Sequence, residues 1–379
     1  MTPKFPTPAP SVHSALKTRV ADYFDRTEID IKGNGQLYAK AVFIVAGVLV
    51  LYLHLVFFTP AWYLAVPECL LLGLFVAGIG LNIMHDGSHS SFSRHKALNF
   101  LASASLECLG GSAFLWKIKH CTIHHSFTNV EGVDDDLDIG NLMRLNEHQT
   151  RHRLHRFQHL YVWVLYSLFY VSWIFFSDYN RYFSKHIGSV PIGRMKPTEH
   201  IKFWVGKLLN IALYIVIPIV FVGWGKWLIG FPLVTFTTGV ATALVFQLAH
   251  TVEGPEFPLP NAEANMLPDE FAIHQIATTA NFATNSRLVT WLVGGLNFQI
   301  EHHLFPGISH VHYPAISKVV RQVCLERDID YVEHKTFGKA VAAHIRHLHS
   351  MGRASAIAAP AHDTSPAEGC ISVSAAETT

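Results

Sequence analysis

Apolar residues come in blocks along this chain. Ala41 to Phe58 is interrupted only by His54, and Trp62 to Met84 only by Glu68 and Asn82. Each block is long enough to cross roughly 30 Å of hydrocarbon as a helix. The link at Thr59-Pro60-Ala61 is short and uncharged, as a turn outside the cytosol should be, so the second helix returns to the cytosolic side with His85 at its end. Leu98 to Leu115 is broken by Ser103, Ser105, Glu107, Gly110 and Gly111, and is predicted to lie in the interface or beneath the residues that carry chemistry. Three more apolar stretches follow: Leu160 to Phe176, Phe203 to Val222 and Leu228 to Ala249. The loop between the first two holds Arg181, Lys185, Arg194, Lys196 and Lys202 against Asp178 and Glu199, which keeps it cytosolic. Leu160 to Phe176 is therefore expected to be interfacial or re-entrant. The last two form a hairpin through Gly223-Trp224-Gly225-Lys226 that ends at His250. The expectation is an all-α integral membrane protein, with about four crossings in two hairpins, interfacial helices and a cytosolic helical cap.

Flanking these blocks, residues 1–38 are mixed and polar, with Pro3, Pro6, Pro8 and Pro10, and lack the pattern of a signal peptide. They are expected to form a cytosolic N-terminal segment. A membrane domain with its cap then runs over 39–350, the part from Ile308 to His349 reading as soluble helix. The Ala-, Ser-, Pro- and Thr-rich stretch 351–379 reads as a disordered tail.

Composition agrees with a membrane location. Of 379 residues half are hydrophobic and 15% charged, and the formal net charge of +1 gives no sign of a nucleic-acid partner. Five scattered cysteines without a Cys-x-x-Cys pair suggest neither a disulfide framework nor a thiolate zinc site. The 25 histidines change the picture.

Three clusters stand just beyond hydrophobic segments: His85 with His89, His120 with His124 and His125, and His302 with His303. Imidazoles at i and i+4 share a helix face and can reach one ion or a close pair. Such ligands suit iron, zinc or copper rather than magnesium or calcium. With His250 the clusters offer eight imidazoles, too many for one ion. Zinc sites usually close with four ligands, so two metals side by side with open positions are expected. Neutral ligands leave those metals electrophilic, which suits dioxygen, and the membrane suggests a lipid as the molecule oxidised. Neither the Glu-x-x-His pairs of carboxylate di-iron bundles nor a His-Glu-x-x-His zinc-protease motif occurs.

His85-Asp-Gly-Ser-His89, His120-Cys-Thr-Ile-His-His125 and Gln299-Ile-Glu-His-His303, followed by Leu304-Phe-Pro306, resemble the three histidine boxes of the membrane fatty acid desaturases. The resemblance covers roughly residues 40–345. It implies four transmembrane helices, a cytosolic cap, a di-iron centre with dioxygen as co-substrate, and electrons from a small carrier such as cytochrome b5 or ferredoxin. It also implies His85, His89, His120, His124, His125, His250, His302 and His303 as iron ligands, zinc being the one replacement expected in purified protein. Gln299, where many relatives have His, resembles the front-end subgroup, which places a double bond between an existing one and the carboxyl end, at delta-6 or delta-5. The chain lacks the His-Pro-Gly-Gly haem signature of fused front-end enzymes, so it is more similar to the bacterial linoleoyl-CoA desaturase type, with an external electron donor. The substrate is expected to be an acyl group on CoA, acyl-carrier protein or a glycerolipid.

An unactivated methylene has no useful acidity, so side chains cannot remove its hydrogens and the metals must supply the oxidant. The protein's part is to hold the acyl chain in a bent, dry tunnel and to orient the ligands through carboxylates, for which Asp86, Glu107, Asp136, Asp138 and Glu301 are the candidates. Trp116 and Trp291 read as core or interface anchors, and His54 as a hydrogen-bonded residue of the helix bundle. His148, His152, His155 and His159 read as a solvated face. His95, His274, His310, His312, His334, His344, His347 and His349 read as surface. Two alternatives fit part of the pattern. One is a hydroxylase on the same scaffold, acting on lipid, alkyl, sphingoid or carotenoid substrates. The other is a metal transporter, which would place its ligands inside the membrane helices rather than beyond their ends.

Overall fold

The computed structural model describes residues 2–354, so the expected tail lies almost wholly outside the described residues. Thirteen helices carry the site: α1 Val12–Thr27, α2 Gly35–Phe58, α3 Trp62–Ser88, α4 Lys96–Cys108, α5 Ala113–His124, α6 Arg153–Ser184, α7 Pro197–Val222, α8 Trp224–His250, α9 Phe271–Ala277, α10 Arg287–Leu292, α11 Gln299–Leu304, α12 Tyr313–Glu326 and α13 Phe337–Met351. Five of them (α2, α3, α6, α7 and α8) are long and apolar enough to cross a membrane. Their outer faces are apolar and exposed, from Val42 (69%) and Phe58 (74%) on α2 to Trp62 (78%) on α3 and Val220 (71%) on α7. A soluble monomer does not expose so wide an apolar belt, and the chain is a membrane protein.

Helix α8 packs along α3 on one side and α6 on the other. Close approach to α3 depends on Gly73, where an added Cβ would lie 2.6 Å from the Val234 carbonyl oxygen; Thr238 Oγ1 donates to the Gly73 carbonyl across the same contact. His54 sits 2.9 Å from Glu68 across the α2–α3 pair, a hydrogen-bonding contact between the two helices with its side chain still 43% exposed.

Leu160 to Phe176 belongs to a single helix of 32 residues, longer than its apolar stretch. Both ends of α6 are tied to one segment, residues 131–149. Tyr161 donates to the Leu142 carbonyl (2.6 Å) and Gln158 pairs with the Arg144 backbone near its start, while Arg181 holds Asp135 (2.7 Å) near its finish. Leu98 to Leu115 is also not one straight rod. Helices α4 and α5 meet at 111°, turning through Gly110, whose φ of 87° suits glycine.

A buried ion pair locks this turn to α6 and α7. Lys207 Nζ lies 3.0 Å from Asp178 and donates to the carbonyls of Gly110 and Ile174, while Asp178 also accepts from Ser112 N and Trp173 Nε1. Replacing Asp178 by Leu strands the ammonium and two further donors, an expected loss of about 3–5 kcal/mol. The double variant Asp178→Leu/Lys207→Met should recover part of the lost thermal midpoint in detergent.

The cap is built from α1, α9, α11, α12 and α13. Val12, Leu16, Val20 and Phe24 repeat every four residues on α1 and pack with Ile316, Val320 and Val323 of α12. The polar N-terminal segment is thus a structural helix of the cap, and α2 begins inside it at Gly35. Where the cap meets α3, Gly294 (φ 65°) lets the backbone press against Leu81, whose carbonyl oxygen an added Cβ would approach to 2.4 Å. Asn82 donates to the Leu292 carbonyl beside it. This contact sets the third histidine cluster against the first.

Candidate metal centre

The first cluster ends α3. A π-helical turn at Gly80–Met84 precedes it, and the His89 amide donates to the His85 carbonyl (3.2 Å), which stacks the two imidazoles one turn apart with ring centroids at 4.8 Å. The second cluster lies on a π-helical segment, Lys117–His124. On an α-helix His120 and His125 would face different ways. Here the His125 amide donates to the His120 carbonyl, five residues back, and the two Nε2 atoms come to 3.2 Å. Short α11 presents His302 and His303, and His250 ends α8.

These four places converge. One donor nitrogen from each of His85, His89, His120 and His302 lies within 4.8 Å of the others, and the same holds for His124, His250 and His303. His125 stands between the groups, its ring 4.5 Å from His302 and 4.3 Å from His303. Seven of the eight are buried and His89 nearly so.

Hydrogen bonding assigns the tautomers. His124 Nδ1 faces Asp134 (3.0 Å), His250 Nδ1 the Thr278 carbonyl (3.3 Å) and His303 Nδ1 the Gln275 Oε1 (2.9 Å). All three partners accept only, so each Nδ1 carries the hydrogen, and neutral His250 and His303 keep a lone pair on Nε2, while at His124 burial is outweighed by the Asp134 and Asp136 carboxylates, which raise it. His302 Nδ1 is held by the Tyr313 hydroxyl at 3.0 Å. The Nε2 atoms of His250, His302 and His303 are buried without a partner. Burial, reinforced by neighbouring imidazoles, drives His89, His125, His302 and His303 well below the usual histidine range, so they are neutral at pH 7. Buried, neutral, inward-facing lone pairs are costly alone and are what a nitrogen-binding metal ion requires. The residues present fit such a group.

Among the carboxylates read from the sequence, Asp86 lies 3.9 Å from His85 Nδ1 and is bonded by Ser309 and His310, and Asp136 lies 3.4 Å from His124 while pairing with Lys119. The others reach no imidazole. Asp138 accepts from Gly140 N and Glu107 from Ala113 N. Glu301, raised to about 7 by burial, is held by Asn281 and Tyr331. Gln299 is buried at the start of α11 but supplies no donor to either group. Asp134, Gln275, Tyr313 and the Thr278 carbonyl hold the rings instead. Only Asp134 left a trace in the sequence, inside the acidic run after the second cluster.

Several residues placed on the surface by spacing are inside. His274, His310, His312, His344 and His347 are buried, as is His155. Most tie one segment to another, as His344 does to Tyr166 of α6 (2.6 Å) and His310 to Asp86 of α3 (2.9 Å), while His95 is exposed as expected. Trp116 stacks on His120 with centroids 4.3 Å apart and so belongs to the site, whereas Trp291 is 42% exposed.

Beside the second group a cavity of about 340 Å³ runs between α6 and α8, walled by His124, His250, Met143, Phe169, Ala243 and Phe246. A smaller one of about 90 Å³ shares Phe169, Phe246, Lys119, Asp136 and Arg181 with it and reaches His120 and Trp116. Together they form a passage along one edge of the histidine cluster, with an apolar wall from Met143, Phe169, Ala243 and Phe246 and a charged one from Lys119, Asp136 and Arg181.

A profile described as fatty acid desaturase matches residues 60–335. The chain belongs to the fatty acid desaturase family. It is 36% identical over 341 residues to the acyl-lipid (8-3)-desaturase of Physcomitrium patens, covering 89% of this chain and 71% of that one. To the sn-1 linoleoyl-lipid 6-desaturases of Arthrospira platensis and Synechocystis sp. it is 33% and 32% identical, over 89% and 90% of its own length and 91% and 95% of theirs. As a family member it is a membrane oxidoreductase of fatty acyl desaturation, with histidine clusters able to bind metal. Exchanging Asp134 for Asn removes the charge that fixes the His124 ring, and metal affinity or turnover should fall 10–100-fold, roughly the effect of losing an outer partner. Metal titration and product formation of the purified variant check this.

Proposed function

We propose that the chain is a dioxygen-dependent acyl-lipid desaturase that inserts a cis double bond towards the carboxyl end of an already unsaturated chain. Two irons, held by His85, His89, His120, His302, His124, His250, His303 and the intervening His125, supply dioxygen activation strong enough to attack a methylene when bound. The observation that carries the reading is the convergence of eight imidazoles, seven of them buried and three with an unpartnered buried Nε2, beside a passage with one apolar wall. Nitrogen donors in two groups suit a pair of irons better than a closed four-ligand zinc site.

The residues of this chain do the rest. Met143, Phe169, Ala243 and Phe246 bind methylenes and keep water away from the edge of the centre. Asp134, Gln275, Tyr313 and Thr278 keep each imidazole in the tautomer that offers Nε2. Relatives named for position 6 of a linoleoyl lipid support an acyl lipid as the substrate and delta-6 or delta-5 placement. Gln299 agrees with the front-end subgroup.

Four crossings, by α2, α3, α7 and α8, put all three clusters on one face. Both ends of α6 being tied to residues 131–149 supports its lying against the bundle without crossing. By the distribution of Lys and Arg that face is cytosolic, where a soluble carrier such as cytochrome b5 or ferredoxin delivers electrons. The polar stretch 1–38 then lies on the same side.

Expression in a host lacking polyunsaturated lipids, fed oleate or linoleate, tests the reading. A product two hydrogens lighter, its new double bond located by mass spectrometry nearer the carboxyl end, is expected. A product heavier by one oxygen would make the chain a hydroxylase.

A further inference from the structure

We infer that a groove at the membrane edge, between the start of α2, α10 and α12, is a binding site for the phosphate of an anionic glycerophospholipid. It involves no histidine of the metal centre and stands apart from the reaction. The groove encloses about 730 Å³ and is lined by Lys40, Arg287, Lys318, Arg321 and Lys335, with Glu333 as the one carboxylate. Glu333 is taken by Arg321 at 2.6 Å. Among the described residues, the other four cations make no ion pair.

Lys40 is the observation that points to a ligand. The residue is only 7% exposed, yet Nζ meets no hydrogen-bond acceptor among the described residues and rests 5.1 Å from the centre of the Trp291 ring. The acid acting on it through space, Asp86, already accepts from Ser309 and His310. An ammonium on so buried a stem, its tip open only to the groove, gains from a compensating charge there, and the groove offers cations instead. An anion in the groove would complete it.

The rim says what else the occupant carries. Leu288 and Leu292 on α10 and Leu325 on α12 are exposed at 67%, 52% and 73%. Directly below, Trp291 packs on Phe43, which together with Val42 faces outward from α2. Lys40 lies five residues into α2, about 8 Å along the helix axis, at the depth where headgroups meet acyl chains. A tryptophan at that level and a cluster of lysines above it are the features that hold anionic lipid. An inorganic or sugar phosphate would use the cations but not the apolar rim.

Native mass spectrometry of the full-length, metal-loaded protein in detergent tests this. The expected result is one retained phosphatidylglycerol, preferred at least tenfold over phosphatidylcholine and not displaced by equimolar sn-glycerol 3-phosphate. Lys40→Gln should reduce that retention about tenfold or more, with metal content unchanged. The rim variant Lys318→Glu/Lys335→Glu, both positions exposed, should do the same without touching the buried position, which covers a folding failure of the first. Equal retention of phosphatidylcholine, displacement by glycerol phosphate, or undiminished retention in the rim variant would overturn the assignment.

Discussion

Alanine in place of His124 should lower the metal content of the purified protein and leave no measurable double-bond formation. His124 shares a donor group with His250 and His303 and lies within the same reach of His120 and Asp136, so both sides of the centre depend on it. Without it, Asp134 becomes a buried carboxylate facing a cavity, and His250 and His303 are too few to hold an ion firmly. The loss should exceed the roughly 100-fold that removing an outer partner costs. Metal analysis of the purified variant, with product assay in cells, checks both parts. Full metal content with full turnover would sink the ligand assignment. A thermal melt shows whether the variant is still folded.

The second large effect is on the passage rather than the centre. Ala243 is 3% exposed and faces the cavity that runs to His250, between Met143 and Phe246. Tryptophan there fills the space an acyl chain would need, and turnover should fall at least roughly 100-fold, while metal content stays at wild type because no ligand is moved. Overpacking by such a change costs about 1–3 kcal/mol, which a melting curve would register. The smaller Ala243→Leu should retain activity but favour shorter acyl chains. If Ala243→Trp desaturates normally, the substrate runs along another face of the cluster. The two variants separate the parts of the reading: one loses metal and activity together, the other activity alone.

Much of the molecule was legible in order along the chain. The apolar blocks located α2, α3, α6, α7 and α8, because a helix able to cross lipid must be apolar over a long run and neighbouring turns repeat the same signal. His85 with His89 could be paired by the helical repeat. His54 was assigned to the bundle, and its contact with Glu68 agrees. Less visible was α1. Its stripe of Val12, Leu16, Val20 and Phe24 is short and set among charges, so only its partner α12 reveals it as core. Residues such as His310 and His344 looked like surface because their spacing matched no cluster. They are buried because the cap folds over them, and burial depends on neighbours far away in sequence.

Residue types by themselves determined that this chain lives in a membrane, that it is rich in metal-binding imidazoles and that these come in three clusters beyond apolar segments. Family membership was carried by the same motifs. Tertiary structure decided how the clusters meet. The π-helical hydrogen bond that turns His125 over His120, the approach of Gly294 to Leu81 that brings His302 beside His85, and the choice of Asp134 over Asp138 to hold His124 are all contacts between groups that no local pattern relates. Helical periodicity follows from hydrogen bonds within a few residues and leaves its mark in spacing. Convergence follows from which surfaces pack together, and the energy of that packing is shared among segments far apart along the chain, such as those of Gly294 and Leu81.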